Sequence, residues 1–483
     1  MKDLAQRAIN LAKIEGASYA DIRMINDKHE TIITKNGIIG SMSQADTIGF
    51  GIRVIVDGSW GFASSAETNP DEIDRVTKQA IQIAKASSML QTEPVDLRPE
   101  PAYQDKWQST YLIDPFEIPL QEKIDMLMEI DKVLTQKPEI AVATANLTFW
   151  MEHQIFANSE GSMIEQRILR SGGGFSATAL NKETGETQKR SYPASFGGQN
   201  MQAGYELIHS LNLLDNAERI REEAIALLSA PQCPSGKMDL ILEGSQLALQ
   251  IHESVGHPSE LDRVLGQEAN YAGISFLTTE KYREFKFGSP IVDIVADSTV
   301  PGGLATFGYD DDGVRAQRWN LVKGGITWGY LTNREVAHVI GEERSKGCNR
   351  ADGYSNIPMI RMVNISLNPG DWEFDDLIAD TEKGIYMEVN RSWSIDQRRL
   401  NFQFGCEIGH LIENGKITGI VKNPTYQGIT PEFWGSCDAI CNDKYWTLWG
   451  VTNCGKGQPG QRAEMSHGAA PTRFRNVEVG VDR

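Results

Sequence analysis

The stretch 247–258 reads Leu-Ala-Leu-Gln-Ile-His252-Glu253-Ser-Val-Gly256-His257-Pro258, which places two imidazoles and a carboxylate beside a residue that breaks helices. On an α-helix, residues four apart lie about 40° apart around the axis, but residues five apart diverge by roughly 140°. A straight helix therefore cannot aim His252 and His257 at one ion. Gly256 offers a way out, because glycine can leave helical geometry or take a positive φ, and Pro258 prevents return to the same helix. The expected arrangement has His252 in the last helical turn and His257 swung back from the bend, forming a metal site with its own general base. With eight histidines in 483 residues, this grouping is uncommon by chance. The bland alternative makes His252 a helix-end residue favoured by the macrodipole and His257 a turn residue.

The surrounding chain separates into two halves. After an amphipathic first helix, Tyr19 to Met24 and Glu30 to Lys35 read as strands, the second leading into Asn36-Gly37, a strong hairpin signal. A further strand reaches Asp57-Gly58, so the first 65 residues form a helix and an antiparallel meander. Asn69, Pro70 and the acidic residues after them start a helix that runs to about Ser88. Apolar spacing predicts another helix over 120–134, strands over 141–152, 154–157 and 163–179, and a charged helix over 216–228. Residues 231–236, Pro-Gln-Cys-Pro-Ser-Gly, have linker composition. The boundary falls there, giving an N-terminal α/β domain at 1–230 and a β-rich domain at 237–483, an α+β protein as a whole. In the second half, 237–243 reads as a strand and Ser245 as the cap of the helix carrying His252.

Composition excludes several function classes. The net charge of −18 and the scattered Lys and Arg residues argue against nucleic acid or an anionic membrane as partner. The first residues are charged throughout and hold no apolar run long enough for a signal or a membrane span, so a cytoplasmic protein is expected. Six cysteines at 233, 348, 406, 437, 441 and 454 form no dense framework and read mostly as packed, reduced thiols. Cys437 and Cys441 are a weak metal or redox candidate, since their spacer has three residues instead of the usual two. The acidic run Asp310-Asp311-Asp312-Gly313 lacks calcium-loop spacing and is expected to be a solvated turn. Residues 452–460 are glycine-rich but lack the order of a phosphate-binding loop.

A catalytic zinc usually takes three protein ligands and keeps a position for water, so a third donor is needed. The candidates are His338, His410, His467, Cys406, Cys437, Cys441 and Cys454. A donor on a loop can approach an ion without burying unpaired backbone, which favours Cys454 without deciding the matter.

The run from His252 to Asp262, His-Glu-Ser-Val-Gly-His-Pro-Ser-Glu260-Leu-Asp262, resembles the HEAVGH-x-x-E-x-D signature of the TldD/PmbA metalloprotease family. Segments 16–23, 49–63, 382–386, 411–417 and 453–456 resemble the family in the same order, so the likeness covers essentially the whole chain. The family contains metal-bearing TldD-type subunits and partners lacking the HExxxH signature, and this chain resembles the former. The resemblance implies a metal held by His252, His257 and Cys454, an N-terminal α/β domain, a β-rich domain carrying the metal, and a homodimer or a heterodimer with a signature-lacking subunit. There are departures. Pro258 stands where glycine is common, 461–471 differs from the usual glycine-rich end, and 433–450 has no counterpart. Phe433, Trp434, Trp446 and Trp449 in that last segment either reshape the pocket or pack in the core.

The expected activity is zinc-dependent hydrolysis of unfolded or flexible peptides entering as extended strands, with Glu253 moving the proton of the attacking water. A thiolate ligand makes the ion a weaker Lewis acid than neutral histidines alone would. Glu260 and Asp262 are candidates to orient a ligand imidazole, against the alternative of a solvated turn. A competing expectation is a non-catalytic binding or assembly subunit with a structural metal or none, for which a fourth ligand such as Cys437 or His467 would close the site. A small-molecule amidase is another.

Overall fold

In the computed structural model, which describes residues 1–480, the N-terminal half is built on very long strands. Tyr19–Lys35 is one strand of 17 residues where the sequence suggested two short ones. The residues between the apolar runs remain extended because the strand is paired on both sides, with Ile38–Val56 and with Ile140–Asn158. That second partner is likewise continuous through the expected break near 153. Both hairpin signals form turns with positive φ at each central residue, Asn36 and Gly37 (51° and 77°) and Asp57 and Gly58 (50° and 80°), the geometry that matches strand twist.

This first sheet runs in the order Ser59–Ser65, Ile38–Val56, Tyr19–Lys35, Ile140–Asn158, Met163–Leu180 and Gln104–Gln108, with two short strands beside Met163–Leu180. Side chains alternate between its faces. One face carries Ile22, Met24, Ile52 and Val54 and is covered by the helices Lys2–Ile14 and Pro70–Ser88. Further along, Leu147, Phe149 and Phe175 pack beneath Leu120–Leu134 and Leu213–Ser229. Asn69 caps the second helix, its side-chain oxygen accepting from the Glu72 amide at 3.0 Å.

The C-terminal half contains a seven-stranded sheet. Pairing of Lys383–Ile395 with Asn401–Glu413 closes five of its strands into a ring that also includes Gly236–Leu242, Thr472–Val479 and Thr425–Ile429. The helix Gly244–Ile251 follows directly from Gly236–Leu242 and is buried on all sides. Its cap is Glu243, not the expected Ser245: the Glu243 carboxylate accepts from the amides of Ser245 and Gln246 at 2.8 and 3.3 Å. A carboxylate at this end also suits the positive end of the helix dipole.

The acidic run at 310–312 corrects another expectation. It is a turn, but Asp310, Asp311 and Asp312 are buried between the two halves. Arg53, on the face of the first sheet opposite the helices, bonds Asp21 at 2.6 Å and Asp312 at 2.8 Å, while Gln154 donates to Asp311 at 3.0 Å. Asp310 accepts backbone amides from Asp312, Val314 and Asn349. Local sequence could not reveal this burial, because the neutralising arginine lies more than 250 residues away in the chain. Removing one partner of a buried ion cluster leaves the others uncompensated. Arg53→Met should therefore lower the unfolding free energy by about 3–5 kcal/mol in urea titration, whereas Arg75→Met, at an exposed helix pair, should leave the urea midpoint close to that of the wild type.

Candidate metal centre

The five-residue spacing of His252 and His257 is resolved by a change of helix type. The helix Gly244–Ile251 continues as a π turn over His252–Gly256, in which the His257 amide donates to the His252 carbonyl, and then as a 3₁₀ turn over His257–Ser259. Adding one residue to the hydrogen-bonded turn superposes residues five apart much as an α-helix superposes residues four apart. The rings end 4.9 Å apart, centroid to centroid. Gly256 does not bend the chain through positive φ; its φ and ψ are −61° and −66°. Its part is close approach, since a Cβ there would lie 2.1 Å from Met362 Sδ.

Cys454 completes a cluster. The donor atoms of His252, His257 and Cys454 lie within 4.8 Å of one another, all three residues are buried, and Cys454 Sγ is 3.6 Å from His257 Nε2. The cysteine is not on a loop as expected. It sits in the strand Thr447–Lys456, paired with Gln461–Ala469, next to a register break between Val451 and Cys454. Such an irregularity re-aims side chains while the backbone stays hydrogen-bonded on either side. The other sulfurs and imidazoles considered from sequence lie outside this cluster: Cys437 and Cys441 are separately packed, and His410 sits beside Glu388 at 3.3 Å.

The protonation of the imidazoles follows from their partners. His467 Nδ1 lies 2.9 Å from the Ile365 carbonyl, which can only accept, so its Nε2 is the acceptor for His252 Nδ1 at 2.8 Å. That contact leaves the His252 Nε2 lone pair free. His257 Nδ1 donates to Glu260 at 2.9 Å and leaves Nε2 facing the sulfur. Burial lowers the pKa of both ring systems, favouring the neutral, ligating form. Burial works against the Cys454 thiolate, but the Arg361 guanidinium, and His257 when its ring is protonated, bring its pKa below the ordinary thiol value.

Glu260 and Asp262 are both buried, and their roles differ. Glu260 touches His257, and Lys456 and His257 hold its pKa well down despite burial. Asp262 does not reach either imidazole; it receives Lys456 Nζ at 2.7 Å and so fixes the cation that also faces Glu260 at 3.4 Å. Glu253 lines a cavity of about 230 Å³ that opens beside the three donors, and it pairs with Arg399. Arg399 had no signal in the sequence, since its φ of 63° and its reach to Glu253 are set by the turn between two strands far from the motif. Of the unplaced aromatics, Trp449 lines the cavity, whereas Phe433 stacks on Phe474, Trp434 donates to Ser254 Oγ at 3.0 Å, and Trp446 donates to the Leu367 carbonyl at 2.9 Å.

Fold and site together define a class: a mixed α+β chain whose strand-rich C-terminal half holds two imidazoles and a thiol beside a small cavity. Residues 20–84, 113–229 and 235–481 match the models for PmbA/TldA metallopeptidase domain 1, central domain and C-terminal domain. The chain belongs to the PmbA/TldD family. It is 32% identical to a metalloprotease of Methanocaldococcus jannaschii over 96% of this chain and 98% of that one. It is 24% identical to a protein named zinc metalloprotease TldD homolog from Saccharolobus solfataricus, over 98% of each. Among solved structures it resembles TldE from Thermococcus kodakarensis with a TM-score of 0.70 at 17% identity, covering 99% of this chain and 100% of that one. A Thermotoga maritima structure reaches 0.77 at 20% identity, with coverage of 99% and 100%. These two likenesses concern the fold.

Because His467 fixes the donor nitrogen of His252, His467→Ala should weaken zinc affinity about 10–100-fold in a chelator competition, with the far-ultraviolet spectrum unchanged.

Proposed function

We propose that this chain is a zinc-dependent peptidase that hydrolyses unfolded or flexible peptides, with His252, His257 and Cys454 as metal ligands and Glu253 as general base. The observation that carries the reading is the convergence of two Nε2 atoms and one sulfur beside a cavity, each histidine turned by its own partner. A nitrogen and sulfur donor set suits zinc, and three ligands leave the open position of a catalytic site. The names of the relatives point the same way. His467, the fourth ligand that a structural site would call on, has its Nε2 engaged by His252.

Zinc held there would act as a Lewis acid toward a peptide carbonyl and a water molecule. Glu253 takes the proton of the attacking water and delivers it to the leaving amine. Arg399 keeps that carboxylate oriented at the cavity wall. Glu260 and His467 hold the two imidazoles against rotation. The cavity is smaller than the several hundred Å³ usual for ligand sites, so it admits an extended chain and not a folded one.

Residues 237–483 form the catalytic domain in this reading and 1–230 the domain that covers it. The protein works as a dimer, with a second copy or with a related subunit lacking the HExxxH motif, a reading supported by the likeness to TldE. A cytoplasmic setting fits six free cysteines, and no described helix is long and apolar enough to cross a membrane.

Glu253→Gln should retain bound zinc by elemental analysis while kcat on a flexible peptide falls roughly 10²–10⁴-fold. Full turnover in that variant would remove Glu253 from the mechanism. Cys454→Ser should instead lose the metal and the activity together.

A further inference from the structure

The wall of the cavity carries a feature that bond hydrolysis does not use. Phe196 and Trp393 both line it and meet edge to face with ring centroids 5.4 Å apart, yet they stay 48% and 44% exposed. Aromatic rings of this size bring a large apolar surface and are mostly withdrawn from water in a folded chain. The two come from different halves of the protein. Trp393 lies on the strand Lys383–Ile395, and Phe196 lies on the loop after Thr187–Tyr192. Phe196 has left-handed backbone (φ 59°) and is followed by Gly197 and Gly198, each at φ 93°. A bulky residue is uncommon in that region and stays there only where its surroundings hold it.

The rest of the wall is mixed, with Ser195, Asn390 and Asn453 beside apolar side chains. Leu249 and Val451 extend its apolar part, and among the described lining residues Glu253 is the one carboxylate and Arg399 the one guanidinium. These two charges pair with each other through one guanidinium nitrogen, so the wall carries no net charge from them. A volume of about 230 Å³ has room for one large side chain and the peptide unit that bears it.

We infer that Phe196 and Trp393 form a specificity pocket for an aromatic or large aliphatic side chain adjoining the scissile bond. The inference rests on the peptidase reading above and adds the substrate class to it. An incoming ring displaces water from both exposed faces and gains edge-to-face and offset contacts. A charged side chain in the same place loses hydration without meeting an unpaired charge of opposite sign.

The test uses zinc-loaded full-length protein and short alanine-glycine peptides that differ at one central residue: Phe, Ala or Glu. Mass spectrometry locates the cut. The expected result is kcat/KM about tenfold or more higher for the Phe peptide than for the Ala peptide, with cleavage at a bond adjoining Phe. That ratio should fall toward one in Phe196→Ala and in Trp393→Ala and persist in Trp393→Phe. Equal turnover of the three peptides by the wild type overturns the pocket, as does an undiminished ratio in both alanine variants. Absence of any cleavage by the wild type counts against the peptidase reading instead. The pocket is then decided by fluorescence anisotropy of labelled peptides on the wild-type protein: tighter binding of the Phe peptide that Trp393→Ala abolishes sustains it, and equal binding of Phe and Ala peptides overturns it.

Discussion

The π turn at His252–Gly256 is the constraint on which the metal centre depends, because it alone converts a five-residue spacing into two imidazoles on one side of a helix. Such a turn gives up regular α-helical hydrogen bonding and is uncommon outside functional sites. Here it is held from several directions. Met362 fills the space that any side chain at 256 would need, Trp434 donates to Ser254 within the turn, and Ser254 and Ser259 return hydrogen bonds to the carbonyls of Gln250 and Val255. Pro258 is the second residue of the 3₁₀ segment that follows and prevents the helix from resuming its earlier register.

Around that turn, charge is arranged in layers that decide which atoms face the cavity. Glu260 lies behind His257, Lys456 behind Glu260, and Asp262 beside Lys456, all buried, so each charge has a neighbour of opposite sign. A carboxylate buried without such a neighbour would take up a proton and lose its hold on the imidazole. His252 is supported differently, by a neutral imidazole whose own proton is committed to a backbone carbonyl. The two imidazoles thus present the same nitrogen for different reasons. The same logic joins the halves of the chain, where Arg53 lies between Asp21 and Asp312 with no room for water to screen them.

The local sequence made much of this legible. Turn residues at 36–37 and 57–58, the cap at Asn69 and the apolar spacing of 120–134 act within a few residues and appear where their chemistry requires. The structure departs from local expectation where a distant partner overrides the local preference. The strand Tyr19–Lys35 stays extended through polar residues because it is paired on both edges, and the aspartates at 310–312 are buried because Arg53, Arg23 and backbone amides neutralise them. Cys454 looked like a loop residue from its glycine neighbours, yet it is a strand residue turned by a register break.

By itself the sequence determined that two imidazoles and a carboxylate lie within six residues and that the helix must bend to bring both rings together, since the residue types and the spacing around Gly256 and Pro258 are chemical facts independent of folding. Only the tertiary structure decided how the bend is made, that Cys454 joins the two imidazoles, that His467 and Glu260 turn the imidazole nitrogens toward the cavity, and that Arg399, Phe196 and Trp393 stand around it. The physical reason is range. Helix geometry, caps and turns are set by neighbours along the chain, whereas hydrogen bonds such as His252 to His467, 215 residues apart, depend on packing that no local window contains.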